Sequence, residues 1–135
     1  MKSVIITGRV VRGAGYGKEL GFPTANLDRR GYSHLKKKPR IGIYAGRAFL
    51  PNDHTGYQAA IVIGPLDQKG LPKIEAHLLH FKGAIYGKRI SLTLGAYLRS
   101  FKNFRTVAEL KSQIRADLRA TRRIGNRTTR PLPRR

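Results

Sequence analysis

A glycine-dense loop with one lysine occupies residues 13–21, GAGYGKELG, directly after a β-branched stretch. Glycines let backbone N–H groups approach anionic oxygens closely, and Lys18 adds a positive charge, so a loop of this kind can cradle phosphate. It is not a Walker loop, because that spacing requires glycine at position 12, where Arg12 stands, and Ser or Thr where Glu19 stands. Glycine-rich turns are also common in hairpins, so a plain turn is the alternative interpretation.

Two neutral oxygen ligands, Thr24 and Asn26, follow this loop in the segment GFPTANL. Alternate side chains of an extended segment point the same way, so both oxygens can face one ligand. A Mg²⁺ ion carried by phosphates needs few protein ligands, since nucleotide and water complete its octahedron. The alternative is that both are turn residues after Pro23.

Glu75 is the third candidate, and it is one of only seven acidic residues. It lies inside the predicted strand KIEAHLLHF, whereas the other six acids fall in predicted loops or on the predicted helix. Period-two alternation places it on one face with His77, Leu79 and Phe81. A carboxylate beside a substrate hydroxyl could accept its proton as that oxygen attacks phosphorus. The alternative is a salt-bridged glutamate on an exposed strand face.

The composition limits the classes of protein that these residues can serve. With 135 residues and 40% apolar content, the chain can bury one core, and the absence of cysteine excludes disulfide, thiolate-zinc and cysteine-nucleophile chemistry. Neither an apolar stretch of membrane-spanning length nor a signal peptide is recognisable, which predicts a cytoplasmic protein without a membrane partner. The net charge of +21 favours an anionic partner: a nucleotide, nucleic acid or another polyanion.

Short strands separated by Gly, Pro, Asn and Asp are predicted at 3–12, 41–50, 57–64, 73–81 and 88–97. This pattern is typical of an all-β barrel or sandwich.

One helix is predicted from about Thr106, where Thr106 and Glu109 fit a capping box. The apolar positions at helical spacing should pack on the sheet: Val107, Leu110, Ile114 and Leu118. Lys111, Arg115 and Arg122 should face water. We predict one folded domain over residues 1–124 and a basic Arg/Pro-rich tail over 125–135, which is either a solvated end or an arm that folds onto RNA or another polyanion.

Several segments in order resemble the bacterial and eukaryotic type of riboflavin kinase: GRVVRGAGYGKELGFPTANL, IGIYAG, IEAHLLHF, AIYGKRISL, and YLRSFKNF before a helix. Their order and spacing agree over about residues 8–123. The resemblance implies a mostly β fold, a six-stranded antiparallel Greek-key β-barrel with a C-terminal α-helix. It also implies ATP and Mg²⁺ as cofactors, and transfer of the γ-phosphate to the riboflavin 5′-hydroxyl, which gives FMN, by a protein that acts as a monomer.

The same resemblance assigns roles to the candidate residues. It places Gly13 and Lys18 at the ATP phosphates and gives Thr24 and Asn26 to Mg²⁺ and nucleotide. Glu75 matches the catalytic base.

Two further groups follow from the resemblance. Leu78, His80 and Tyr86 match positions that line the nucleotide pocket, and Arg99, Lys102 and Phe104 match positions that contact the flavin. Cations can hold a new phosphate and an aromatic ring can stack on isoalloxazine, so the flavin assignments are chemically reasonable.

The chain departs from the family pattern at two places on the expected flavin side. The stretch at 65–70, PLDQKG, is short and lacks the usual Pro-Thr-Phe or related sequence, and Phe101 stands where an acidic residue is expected. These departures predict altered riboflavin affinity, and weakened or lost activity, more than altered ATP binding.

A second class of function is compatible with the same residues. The riboflavin kinase fold could serve as an RNA-binding or ribosome-associated component, through its positive charge and residues 125–135. A kinase needs positive charge only around its triphosphate, so the excess charge favours this alternative. The joint presence of Thr24, Asn26 and Glu75 favours the enzyme.

Overall fold

The structure, a computed structural model, describes residues 4–13 and 23–128, with side chains up to Gly125. Six strands and one long helix make up most of it: β1 (Val4–Val11), β2 (Thr24–Leu27), β3 (Gly42–Phe49), β4 (Tyr57–Leu66), β5 (Pro72–Leu78), β6 (Arg89–Arg99) and α1 (Val107–Thr128). A short 3₁₀ helix, Arg29–His34, follows β2.

The six strands close into an antiparallel barrel in the order β1-β2-β5-β4-β3-β6. Strands distant in sequence are therefore neighbours, as where β2 pairs with β5 through Asn26 and Glu75. This arrangement confirms the six-stranded antiparallel barrel with a C-terminal helix. The five strands predicted from sequence match observed strands closely. The sequence pattern did not predict the sixth strand, the four-residue β2.

The barrel interior is filled by alternate side chains of every strand. Its largest fully buried members are aliphatic: Ile6, Leu27, Ile61, Ile63, Ile74, Leu78, Ile90 and Leu92. Strands β3 and β6 approach especially closely at Gly46, where an added Cβ would lie 2.1 Å from the Thr93 carbonyl oxygen. The register between these two strands shifts beside this point, so glycine is required for the barrel to close.

Helix α1 begins where the capping box predicts. The Glu109 backbone N–H donates to Thr106 Oγ1 at 3.1 Å, while the Glu109 carboxylate accepts from the Arg105 N–H at 3.4 Å rather than from the cap residue itself. Ile114 and Leu118 pack against Ala60 of β4.

Two details of the helix differ from the sequence prediction. Val107 is 46% exposed at the edge of a cavity instead of packing on the barrel. The helix also continues to Thr128, so the boundary predicted at 124 lies within it, because Gly125 fits against Gln58 without interrupting the turn. Residues 129–135 of the predicted tail lie outside the described residues.

Strand β5 ends earlier than predicted, at Leu78 rather than at residue 81. His80 adopts a left-handed backbone with φ 62°, which breaks the extended conformation. The alternation predicted for Glu75 and His77 therefore holds, but it does not extend to Leu79 and Phe81. None of the described helices is long and apolar enough to cross a membrane.

A buried ion pair fastens α1 to β6. The Arg99 guanidinium donates to both oxygens of Asp117, at 2.9 and 2.8 Å, and Gln113 donates to the same carboxylate at 3.1 Å. The Asp117 side chain is 6% exposed and that of Arg99 22%. A bidentate pair of this kind fixes both the distance and the rotation of the helix against the barrel.

We predict that Asp117→Asn lowers the free energy of unfolding by about 2 kcal/mol. Asparagine carries no charge and only one acceptor oxygen, so the partly buried Arg99 guanidinium loses its counter-ion. Urea unfolding followed by circular dichroism measures this change. Arg29→Gln, which breaks the exposed pair with Asp67, is the control and should cost about 0.5 kcal/mol or less. Equal effects of the two substitutions would show that the Asp117 pair does not fasten the helix.

Candidate active site

A cavity of about 450 Å³ lies between the outer surface of the barrel and α1. Outward-facing residues of β2, β4 and β5 form its floor, the segment 101–106 forms one end, and the first turns of α1 form the roof. This one cavity is lined by residues that the sequence singled out from three separate segments: Thr24, Asn26, Glu75, Arg99, Lys102 and Phe104.

Glu75 lies at the centre of the floor and is 14% exposed. Its Oε2 is 3.0 Å from the Lys73 ammonium, and its Oε1 is 3.3 Å from His77 Nε2. Both partners come from the same outward face of β5, because residues 73, 75 and 77 alternate with the buried interior positions. The carboxylate is therefore held at both oxygens and still borders the cavity.

His77 connects Glu75 to Thr24. Burial lowers the pKa of His77 below its usual range, although the neighbouring Glu75 opposes that shift, so the imidazole is neutral at pH 7. A neutral imidazole with its hydrogen on Nε2 would direct it towards Glu75 Oε1, 3.3 Å away, and could accept from the Thr24 hydroxyl at Nδ1, 3.1 Å away. The Thr24 hydroxyl oxygen is a hard ligand of the kind that Mg²⁺ prefers.

Asn26 is paired directly with Glu75 in the β2–β5 register, so the two residues are neighbours on adjacent strands. The backbone at Gly13 passes directly against it, because a Cβ added to Gly13 would lie 2.2 Å from Asn26 Nδ2. Gly13 is thus required for the start of the glycine-dense loop to reach this edge of the cavity. In the described part of the chain, no group of three His, Asp or Glu side chains could hold a metal. The oxygens of Thr24 and Asn26 suit a hard cation that brings most of its ligands with it.

The residues after β6 form the opposite end of the cavity. Phe104 lies there with two cations near its ring, Arg99 at 6.0 Å and Lys102 at 5.6 Å from the centroid. Phe101 also lines the cavity and packs towards Gly64. Phe101, one of the two departures from the family pattern, therefore lies beside the residue that precedes the other, the stretch at 65–70.

The remaining predicted site residues lie elsewhere. Leu78 is 2% exposed in the barrel interior. His80 lines a second cavity, where its Nε2 is 2.8 Å from the Arg122 guanidinium. Tyr86 is 59% exposed, with Arg12 5.0 Å above its ring. Lys18 lies outside the described residues.

Sequence reasoning missed three residues of the site: Lys73, His77 as a partner of Glu75, and Asp117. The spacing of Lys73 and His77, two residues on either side of Glu75, was a usable signal. No local pattern could have paired Asp117 with Arg99, because the contact depends on how α1 docks.

Comparison with known proteins identifies the family to which this chain is similar. The chain matches the family model for flavokinase, described as riboflavin kinase, over residues 1–125. It is 35% identical over 115 residues to riboflavin kinase of Homo sapiens, covering 82% of this chain and 74% of that protein. It is 32% identical over 117 residues to the RNA-binding riboflavin kinase RibR of Bacillus subtilis, covering 84% of this chain and 48% of that protein.

A solved structure agrees with the fold. Riboflavin kinase from Trypanosoma brucei superposes with a TM-score of 0.62 at 27% identity, covering 92% of this chain and 80% of that one. The matches in sequence and in fold confirm the resemblance first inferred from the segments around Thr24, Glu75 and Arg99. The chain therefore belongs to the riboflavin kinase family, whose members transfer a phosphoryl group from ATP to riboflavin to give FMN.

Proposed function

We propose that this chain catalyses the transfer within the cavity beneath α1, with Glu75 as the general base and Mg²⁺ bound with ATP at Thr24 and Asn26. The observation that supports this most is the position of Glu75, which is paired with Asn26 and whose carboxylate lines the same cavity as Phe104. A riboflavin molecule between Asn26 and Phe104 would place its 5′-hydroxyl near that carboxylate.

In the proposed reaction the 5′-hydroxyl proton passes to a Glu75 oxygen while the hydroxyl oxygen bonds to the γ-phosphorus, and the bond from that phosphorus to the ADP oxygen breaks. Lys73 and His77 fix the rotamer of the carboxylate, so the base is positioned before the substrate arrives. Mg²⁺, when bound, would neutralise charge on the phosphate oxygens. Because α1 covers the floor, the reacting groups are shielded from bulk water.

The flavin is proposed to bind at the end of the cavity formed by the residues at and after the end of β6. Phe104 offers an aromatic face to the isoalloxazine, and Arg99 and Lys102 place positive charge beside it. Arg99 is already anchored by Asp117, so its direction is fixed, whereas Lys102 is exposed and can follow a phosphate. We propose Phe101 as a further aromatic contact for the flavin, replacing the acid expected there.

The nucleotide end is proposed to use Gly13 and Lys18 for the phosphates. Leu78, His80 and Tyr86 are proposed contacts of the nucleoside. Tyr86 and His80 have accessible side chains after β5, whereas Leu78 would contribute its backbone, since its side chain belongs to the barrel interior.

We predict that Glu75→Gln lowers the rate of FMN formation by about 10²- to 10⁴-fold, because glutamine cannot accept the 5′-hydroxyl proton. Riboflavin affinity should change little, as the side chain keeps its size. FMN is measured by chromatography after incubation with riboflavin, ATP and Mg²⁺. Glu109→Gln, which alters an exposed glutamate at the first turn of α1, should keep the wild-type rate. Full turnover in Glu75→Gln would exclude the base role.

We predict that Thr24→Val and Asn26→Leu raise the Mg²⁺ concentration required for half-maximal activity by at least about tenfold, because each removes an oxygen ligand. Thr24→Ser keeps the hydroxyl and serves as the matched control. Riboflavin binding, followed by quenching of flavin fluorescence without ATP, should remain within about twofold of wild type in both variants. An unchanged Mg²⁺ requirement would show that these oxygens do not bind the metal.

A second function, association with RNA, is favoured by a separate observation. The net charge is +21, far more than a triphosphate site requires, and one relative of this chain is named an RNA-binding riboflavin kinase. We propose that the basic surface and residues 125–135 contact RNA while the barrel retains its catalytic residues.

A further inference from the structure

The cations of α1 between residues 111 and 123 fall within about 120° of the helix circumference. Lys111, Arg115, Arg119 and Arg122 follow one another at spacings of three or four residues, and Arg123 is adjacent to Arg122, so the set forms a row about 18 Å long. We call this row the basic flank: Lys111, Arg115, Arg119, Arg122 and Arg123. The charge is therefore concentrated along a line rather than spread around the helix.

The basic flank has no carboxylate partners within the described chain. The ion pairs of the described residues use other basic side chains, none of which belongs to the row: Arg29, Arg30, Lys73, His77 and Arg99. The two acids of the helix are already used, Asp117 by Arg99 and Glu109 at the helix start. Like charges at these spacings destabilise a helix, so the fold by itself gains nothing from the row.

The shape of the row identifies the class of ligand. Arginine matches phosphate oxygens geometrically, and a row of this length suits a polymer of phosphates rather than one small anion. A membrane surface is a poor match, because the apolar side of α1 is already covered by the barrel through Ile114, Leu118 and Ala60.

A duplex groove is also a poor match. A helix that reads B-DNA enters the major groove, whereas α1 lies lengthwise on the barrel with Ile114, Asp117 and Thr121 buried beneath it. A flexible single strand does not require a helix to enter a groove, and it can follow a row of cations over a convex surface. RNA commonly presents unpaired strands of this kind.

We propose that the basic flank is a docking surface for the phosphate backbone of single-stranded RNA. This inference rests on the RNA association proposed above and assigns it to α1 rather than to the tail. The flank lies on the solvent side of α1, while Leu110, Ile114 and Asp117 on the other side line the catalytic cavity. Binding at the flank therefore leaves the cavity open to riboflavin.

The test compares two full-length variants that each lose three positive charges. Arg115→Gln, Arg119→Gln and Arg123→Gln together remove exposed members of the flank, and glutamine retains the helix propensity of arginine. Lys36→Gln, Lys37→Gln and Lys69→Gln together remove three exposed cations from loops. Binding of a labelled twelve-nucleotide single-stranded RNA is measured by fluorescence anisotropy at several salt concentrations, with FMN formation assayed in parallel.

We expect the flank variant to raise Kd at least about tenfold and to reduce the slope of log K against log salt by about 2, since each lost phosphate contact on a single strand contributes about 0.7. The loop variant should change Kd less than about twofold. Replacing the same three arginines by lysine should preserve most of the binding, because the charge is kept. FMN formation should be equal in all variants.

Equal weakening by the flank and loop variants, or no weakening by the flank variant, would overturn the assignment to α1, even where the protein still binds RNA. Tighter binding of the wild type to duplex DNA of equal length, or to vesicles of phosphatidylglycerol, would overturn the choice of ligand. Absence of RNA binding would reject the RNA association itself. None of these results bears on Glu75, whose role is decided by FMN formation alone.

Discussion

The interior of a six-stranded barrel has room only for its own side chains, and this constraint decides where chemistry can occur. Small barrels of about eight strands are already filled by the residues that point inward. Here Ile6, Ile61 and Leu92 occupy the interior and are fully buried. A substrate must therefore bind to the outer surface, and the surface needs a cover to exclude water. Helix α1 provides that cover.

The alternation of the strands then determines which residues meet. On β5 the interior positions are Ile74 and Ala76, so Glu75 and its neighbours at 73 and 77 point outward beneath the helix. On β2 the same alternation turns Thr24 and Asn26 outward. Because β2 and β5 are paired, these side chains converge without any loop having to position them. The Asp117–Arg99 pair fixes the cover at the correct distance.

Much of this could be predicted from the sequence, for reasons specific to each segment. The β-branched strands and the cap at Thr106 are local signals, and the segments around Thr24, Glu75 and Arg99 resemble a known family. The closure of the barrel and the meeting of β2 with β5 depend on pairing between distant strands, which no local pattern specifies. The interior position of Leu78, by contrast, could be predicted, because period-two alternation on β5 places it with Ile74 and Ala76 on the face opposite Glu75.

We propose that catalysis takes place on the outer surface of the barrel beneath α1. The most direct measurement is a crystal structure of the protein with riboflavin, ADP and Mg²⁺ bound. We expect the isoalloxazine against Phe104 and the 5′-oxygen of riboflavin within about 3.2 Å of a Glu75 carboxylate oxygen, the reach of a general base. A flavin bound at another surface, or a 5′-oxygen beyond hydrogen-bond reach of Glu75 with no water between them, would contradict it.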